Sequence, residues 1–476
     1  MPNTSTSAKL NHENLRARFQ AVGQEHVFTF WRELTEAERG QLLDDLSRVN
    51  VSELPALSRL AVSETAHHIP TDALKPVPVI SRATAGSAAR ERGRSLLKAG
   101  KVAAFTVAGG QGTRLGFDGP KGAFGISPVK NKPLFQLFAE AIRATSRRYG
   151  CRVPWYVMTS PANDADTQAF FREQGFFGMP PECVTFFQQG VMPAFDRSGK
   201  ILLDDRHRVA LSPDGHGGSL LALAQTGMLV DMARRGIEHV SYFQVDNPLV
   251  YCLDPVFIGL HDLHGSEMSS KSLPKADDFE RVGNFALHDG KLVVIEYSDL
   301  PNELARARNA DGSRKFDAGS IAIHILSRRF VERLTADPAS FGLPWHRALK
   351  KVPCVDAATG RRTDPPEPNA IKLESFVFDA LPLARNPIVV ETDRAEEFSP
   401  VKNATGVDSV ETTRRDMNRR AARWLESAGF GIARTPPGEP DGTFEISPLL
   451  ALDAEHLAER RLTPEQISPG AIRYFE

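Results

Sequence analysis

Cysteine is scarce and scattered. The 476 residues contain four, Cys151, Cys183, Cys252 and Cys354, and no C-x-x-C pair. That excludes the usual zinc spacings and argues against a disulfide scaffold. It predicts reduced, mostly buried thiols in a cytoplasmic protein. No stretch approaches the ~20 apolar residues a membrane helix needs, and the polar segment from Met1 to Leu10 has no apolar core for a signal peptide. Charge of one sign is lacking too. Lys and Arg number 58 against 59 Asp and Glu, a net charge of −1, so no general nucleic-acid surface is expected, because phosphate-backbone binding needs a basic stripe. A cationic pocket for one nucleotide is still allowed. There is no internal repeat or low-complexity tract, and 41% hydrophobic with 25% charged residues is ordinary globular composition. The length predicts two or three domains.

The most informative stretch is Val107-Ala108-Gly109-Gly110-Gln111-Gly112-Thr113-Arg114-Leu115-Gly116, followed by Gly119-Pro120-Lys121-Gly122. It follows the apolar run Val102 to Val107, which reads as a buried parallel strand. The glycines let the backbone turn sharply and present N–H groups to a ligand without a Cβ in the way. Such N–H groups form a nest for anions, and phosphate is the usual occupant. Arg114 and Lys121 add two cations that packing does not require. Two common phosphate motifs fail on spacing. G-x-G-x-x-G fails because the glycines after Gly110 fall at 112 and 116, and a P-loop fails because no Ser or Thr follows Lys121. A plain strand-to-helix turn with surface charges is the competing account, and four glycines with an Arg and a Lys weigh against it.

Residues 11 to about 98 read as helical. Thr35 and Glu38 form a capping-box pattern ahead of Leu42, Leu43, Leu46 and Val49, and a Pro-rich break runs from Ile69 to Val79. Thr84 is placed to cap the helix that ends near Ala99. From Lys101 the pattern alternates strand, turn and helix. Strands are expected at Trp155 to Met158, Val184 to Phe187 and Val240 to Val245, and helices after Pro133, after Asn163 as a cap, and from Gly218 to Arg235. Asp289-Gly290 reads as a hairpin turn in a more β-rich stretch ending near Tyr297. A charged helix from Thr412 to Ser427 and short strands close the chain. The expected organisation is thus a helical N-terminal region (1–98), an α/β catalytic domain (99–407) and a small C-terminal domain (408–476).

The motif G-G-x-G-T-R-L-G followed by P-K-G resembles the signature of the eukaryotic-type UDP-sugar pyrophosphorylases, most of all their UDP-N-acetylhexosamine branch. The resemblance extends in order from about residue 15 to 450. It includes Phe187-Gln188-Gln189-Gly190, Ser212-Pro213-Asp214-Gly215-His216-Gly217-Gly218, Val245-Asp246-Asn247, Val294-Ile295-Glu296-Tyr297-Ser298, Phe316-Asp317-Ala318-Gly319, Ile371-Lys372-Leu373-Glu374 and Phe398-Ser399-Pro400-Val401-Lys402-Asn403. It implies a nucleotide-diphospho-sugar transferase-like fold, a Rossmann-type mixed α/β sheet with helices on both faces and a small β-rich C-terminal domain. It also implies uridylyl transfer from UTP to a sugar 1-phosphate, in first place N-acetylglucosamine 1-phosphate. UDP-glucose or broad UDP-sugar pyrophosphorylase activity is the alternative, and a non-catalytic sugar-nucleotide sensor a more distant one.

That chemistry joins two anions, so it needs cations, aligned N–H donors and a metal more than a general base. The resemblance implies nucleotide binding by Gly109, Gly110, Gly112 and Thr113, with Arg114 and Lys121 on the triphosphate and Lys372 and Lys402 on phosphates. Arg meets phosphate in bidentate fashion and Lys as a point charge. Most lysines are only solvated surface charges, and that account competes for both Lys372 and Lys402. The resemblance implies that Asp246 is a ligand of Mg²⁺ (or Mn²⁺); an Asp capping the next turn explains the same Asp-Asn pair. Gln188 offers an amide for the uracil edge, or satisfies its own strand end. Gly215 and Gly217 are expected to let the backbone approach base or ribose. Glu296, Tyr297, His216 and Asp317 are implied to face the sugar. His216 and Asp317 stand where the N-acetylhexosamine branch usually has Asn, which predicts an altered or broadened sugar preference. The expected partners are UTP and a sugar 1-phosphate, with no nucleic acid and no membrane; the residues do not distinguish a monomer from an oligomer.

Overall fold

The computed structural model describes residues 4–63, 70–71, 73–337 and 341–476, with side chains from residue 12 onward except that of residue 83. The leader reading of Met1 to Leu10 therefore begins outside the described residues, as do Ile69 and Asp72 of the Pro-rich break. The chain forms two compact units that do not follow its order: Met1–His68, Gln189–Ser219 and Gly342–Asp379 in the first, the remainder in the second. This cuts across the three consecutive regions expected from sequence. Apolar periodicity locates elements, but it does not say which distant segments share a core.

The second unit is built on an eleven-stranded mixed sheet. Its main path runs Val79–Ser81, Ile388–Glu391, Met268–Pro274, Ala318–Ser327, His239–Gln244, Val102–Val107, Trp155–Thr159, Val184–Gln188. Along this path only Ala318–Ser327 is antiparallel to its neighbours. The carboxyl ends of the strands after which Gly109, Ser160, Asp246 and Lys275 follow, and the amino end of Ala318–Ser327, thus share one sheet edge. Ligands gather at this edge in α/β folds. Strand Ala318–Ser327 shifts register between Ser270 and Ser272 of its neighbour and holds Ala322 at φ +55°. The bulge bends it, so its first half pairs with Gly283–His288 and its second with His239–Gln244.

Both faces of the sheet are covered. On one, Trp155, Phe243, Phe135, Phe138 and Phe171 form a closely packed aromatic core. On the other, Phe105 meets Phe187 and Tyr242, and the Tyr156 hydroxyl donates to Asp231 of helix Met228–Arg234 at 2.7 Å. Helices Gly86–Lys98 and Pro255–Leu263 pack backbone to backbone. A Cβ at Gly93 would lie 1.8 Å from the Pro255 carbonyl oxygen, and one at Gly259 1.7 Å from that of Ala89. The expected hairpin forms at Asp289-Gly290, both with positive φ, between Gly283–His288 and Lys291–Ile295. The C-terminal segment has its own small core around Trp424, Leu425, Phe444 and Leu457. It is tied into the same unit by Lys132, whose Nζ donates to Glu140 and to the Tyr474 hydroxyl, and by Glu445, which accepts from Val129 and Lys130 N–H.

The first unit packs helices Glu36–Ser47 and Leu54–Val62 with Phe19, Phe195 and Leu373. Thr35 and Glu38 form the expected capping box, and Leu42, Leu43, Leu46 and Val49 are buried. Its largest sheet has three strands, Trp345–Lys350, Ala370–Ser375 and Phe195–Asp196.

Three expectations fail locally. Thr84 does not cap; it lies in the turn Arg82–Thr84 and donates to the Ser81 carbonyl, one turn too early for the helix that begins at Gly86. The helix expected from Gly218 to Arg235 breaks at Gly227, at φ +78°. Asn163 makes no cap bond to helix Asp164–Glu173, because its side chain is used elsewhere. The described cysteines are free, and no described helix is long and apolar enough to cross a membrane.

Candidate active site

In the second unit the glycine loop leaves the end of Val102–Val107 and folds back on itself. Gly112 N donates to Gly119 O at 2.9 Å, and Lys121 N to Gly110 O at 3.1 Å. The loop's carbonyls are held from behind. Ser160 Oγ donates to Gly109 O (2.9 Å), and Asn163 Nδ2 to Ala108 O (2.9 Å) and Gly110 O (3.2 Å). With the carbonyls fixed, the N–H groups of Gly109, Gly110, Gln111 and Thr113 meet no acceptor among the described residues. A row of free N–H groups is an anion nest. Sequence reasoning missed these two braces of the loop, Ser160 and Asn163, the latter having been read as a helix cap.

The glycines differ in purpose. A Cβ at Gly112 would lie 2.7 Å from the Phe117 ring, whereas one at Gly110 would meet nothing within 4 Å. The protein does not need glycine at 110 for its own packing, so the bare backbone there is available to a ligand. Arg114 is exposed and Lys121 half-buried, and neither side chain has a partner among the described residues.

Segment 397–404 stitches three expected residues together. Asn247 Nδ2 donates to Glu397 O at 2.7 Å, and Val401 N to Asp246 O at 2.8 Å. Ala404 N donates to Arg114 O at 3.1 Å. Asp246, Lys402 and Arg114 are therefore neighbours. The Asp246 carboxylate is half-buried and unpartnered among the described residues. Lys402 Nζ lies 3.2 Å from Asp408 Oδ2, a partly exposed pair of the kind that contributes little and yields readily to phosphate. Among the described residues no three His, Cys, Asp or Glu side chains converge. A cation at Asp246 would take its other ligands from phosphate and water, which suits Mg²⁺.

Farther along the same edge lie the residues expected at the sugar. Glu296 follows Lys291–Ile295; its Oε1 would be 3.7 Å from a Cβ at Gly283, which pairs with Ser320. Tyr297 is exposed. Asp317 is less free than expected, since its Oδ1 accepts from Lys275 N (3.1 Å) and from Arg314 Nη1 (3.2 Å).

Gln188 does not present a free amide. Its Nε2 donates to Asp164 Oδ2 at 3.0 Å, an acceptor shared with Gln168. In the first unit the next residue, Gln189, is buried, and its Nε2 lies 3.4 Å from Asp214 Oδ1. Gln188 ends its strand and Gln189 lies beyond it, and the sequence run Gln188-Gln189 carries no sign of which amide is buried.

In the same unit the protein's own packing requires glycine at 215 and 217. A Cβ at Gly215 would lie 2.3 Å from Ser375 O, and one at Gly217 2.7 Å from Phe376 N. Gly217 N donates to Ser375 O and Ser375 N to Asp214 O. His216 Nδ1 accepts from Val377 N at 3.1 Å, which leaves Nε2–H as its donor, and the ring stacks on Phe376. Burial first, then nearby His346, lowers its pKa to about 4, so it is neutral. Lys372 is half-buried, with no partner among the described residues, and burial lowers its pKa.

A family model described as UTP--glucose-1-phosphate uridylyltransferase matches residues 55–424. The chain belongs to this family. Among family relatives, human UDP-N-acetylhexosamine pyrophosphorylase-like protein 1 is 39% identical, over 94% of each chain. The UDP-N-acetylglucosamine pyrophosphorylase of Saccharomyces cerevisiae is 37% identical, over 93% of this chain and 95% of its own. The solved uridine diphosphate N-acetylglucosamine pyrophosphorylase of Trypanosoma brucei, in complex with inhibitor, superimposes with a TM-score of 0.81 at 27% identity, covering 97% of this chain and 98% of its own. The glycine loop, Asp246 and Lys372 lie within the span matched by the family model, as do Asp317 and Lys402.

Proposed function

We propose that the protein is a UTP:sugar-1-phosphate uridylyltransferase whose first substrate is N-acetylglucosamine 1-phosphate. The observation that carries the reading is the glycine loop. Its N–H groups are turned outward by Ser160 and Asn163, and it stands beside the unpaired Arg114 and Lys121 and next to Asp246 and Lys402.

A sugar phosphate oxygen attacks the α-phosphorus of UTP, the bond to the β-phosphate oxygen breaks in line, and pyrophosphate leaves. Repulsion between the two anions and charge build-up on the phosphorus oxygens are the obstacles. The loop N–H groups, Arg114 and Lys121 orient the triphosphate and offset the charge of the leaving pyrophosphate. Lys402 and Lys372 offset charge on the phosphates. Asp246 would hold Mg²⁺, which supplies Lewis-acid neutralisation of phosphate oxygens. Gln188, whose Nε2 is tied to Asp164, keeps its carbonyl oxygen for the uracil edge.

The names of the relatives support N-acetylglucosamine. UDP-glucose or broader UDP-sugar formation is the second reading. His216 favours it, because its Nδ1 is used by Val377 and it offers a single N–H donor where the branch usually carries an Asn amide. The test is a panel of sugar 1-phosphates with UTP and Mg²⁺, read by pyrophosphate release. N-acetylglucosamine 1-phosphate should give the highest kcat/KM, with glucose 1-phosphate accepted to a lesser degree. No release with any sugar would overturn the enzymatic reading in favour of a sugar-nucleotide sensor.

A further inference from the structure

Lys275 follows strand Met268–Pro274 at the ligand-bearing sheet edge and is 3% exposed. Its backbone is clamped: N donates to Asp317 Oδ1 at 3.1 Å, and its carbonyl accepts from Arg314 Nη1 at 2.7 Å. Its ammonium, by contrast, has no hydrogen bond or ion pair among the described residues. The acids around it are already engaged. Asp317 pairs with Arg314, Asp278 with Arg308 and Arg314, and Glu280 with Arg394. Burial, the largest influence, lowers its pKa; the Asp317 charge opposes this and Arg314 adds to it.

A buried ammonium without a partner is costly, and natural structures retain one where a ligand supplies the acceptor. Position indicates which ligand. In the sheet, Met268–Pro274 is separated from His239–Gln244, the strand leading to Asp246, by Ala318–Ser327 alone. Two strand spacings are about 10 Å, a distance that a hexose ring and a lysine stem together can span from a phosphate held at Asp246. The triphosphate cations Arg114 and Lys121 lie one strand farther away. Asp317 explains why such a donor is needed here. Where the N-acetylhexosamine branch usually has Asn, this chain has a carboxylate, which offers no N–H and whose Oδ1 is already occupied.

We propose that Lys275 is a sugar-binding residue, its ammonium donating to oxygen acceptors on the sugar of the sugar 1-phosphate in place of the amide donors that Asp317 lacks. The inference rests on the uridylyltransferase reading above. The test is steady-state kinetics of the full-length wild type, Lys275→Met, Lys275→Gln and the double variant Lys275→Met with Asp317→Asn. Each substrate is varied at saturating levels of the other, and thermal melting and UTP binding are recorded alongside. Lys275→Met should raise KM for the sugar 1-phosphate about 10-fold, the loss of one charge-assisted hydrogen bond, with KM for UTP within about twofold. Lys275→Gln, which keeps N–H donors, should recover most of the loss, and Asp317→Asn should rescue Lys275→Met by restoring an amide. An unchanged sugar KM, an equal rise in both KM values, or no rescue by either change would overturn the assignment. If Lys275→Met does not fold, the sugar-versus-UTP comparison in Lys275→Gln decides, a selective rise of about twofold or more being required. A wild type that releases no pyrophosphate with any sugar 1-phosphate would instead remove the functional reading, and this proposal with it.

Discussion

The Asp214 carboxyl lies where Cβ atoms at Gly190 and Gly218 would come within 2.4 and 2.2 Å of its Oδ2, and its closest side-chain donor is Gln189 at 3.4 Å. Burial raises its pKa to about 7, with hydrogen bonds only partly opposing. Between pH 4 and 7 the folded chain therefore keeps a proton that the unfolded chain has released. Stability from this group is full below the unfolded pKa and falls as pH rises through 7. Asp214→Asn, which stays neutral, should match the wild type in thermal melting near pH 4. At pH 8 it should be more stable, by up to about 4 kcal/mol. A stability difference that does not change with pH would mean that Asp214 is ionised throughout. His216 next but one titrates in the opposite sense, since it stays neutral down to about pH 4. Between about pH 4 and 7 the proton in this loop belongs to Asp214.

At the scale of an element, the glycine loop separates packing from binding. Gly112→Ala places a methyl 2.7 Å from the Phe117 ring and 3.0 Å from its carbonyl oxygen, and should cost about 1–3 kcal/mol of stability. Gly110→Ala points into open space and should melt like the wild type, yet raise KM for UTP or lower kcat, because the methyl stands where the triphosphate approaches. Calorimetry and initial rates on the two variants check the contrast. Equal melting temperatures would show that packing does not require glycine at 112, and full activity in Gly110→Ala would show that the loop's backbone does not face the nucleotide.

Across the second unit, one buried charge network joins segments far apart in sequence. Lys271, fully buried, donates to Asp254 at 2.9 Å and to Glu397 at 2.6 and 2.5 Å; Arg82 donates to Asp254 at 3.1 Å, and Thr392 to Glu397 at 2.6 Å. The Glu397 carbonyl in turn holds Asn247, beside Asp246. Lys271→Met would leave two buried carboxylates short of a cation and should cost about 3–5 kcal/mol, read as a lowered denaturant midpoint. The double change Lys271→Met with Glu397→Gln should recover part of that loss, since it removes one of the stranded charges. A single variant as stable as the wild type would show that the network tolerates an unpaired carboxylate.

The sequence alone determined the features that short-range chemistry sets. Apolar runs gave the strands ending at Val107, Met158 and Phe187, Thr35 and Glu38 gave a capped helix, and Asp289-Gly290 gave a hairpin, because each depends on residues within a turn or two of one another. The glycine loop with Arg114 and Lys121 was legible for the same reason, since a nest is built from consecutive N–H groups. Its relation to Asp246 and Lys402 was legible only through the family resemblance. What each polar side chain is free to do was decided by tertiary structure. Asn163, placed to cap a helix, instead grips the loop's carbonyls; Gln188 is tied to Asp164 while Gln189 is buried; Gly215 and Gly217 make room for Ser375 and Phe376; Asp317 is paired with Arg314. Lys275 looks from sequence like any surface lysine, and its isolation exists only because strands distant in the chain bury it. Burial and partner supply are sums over segments that fold together, and the order of residues does not carry them.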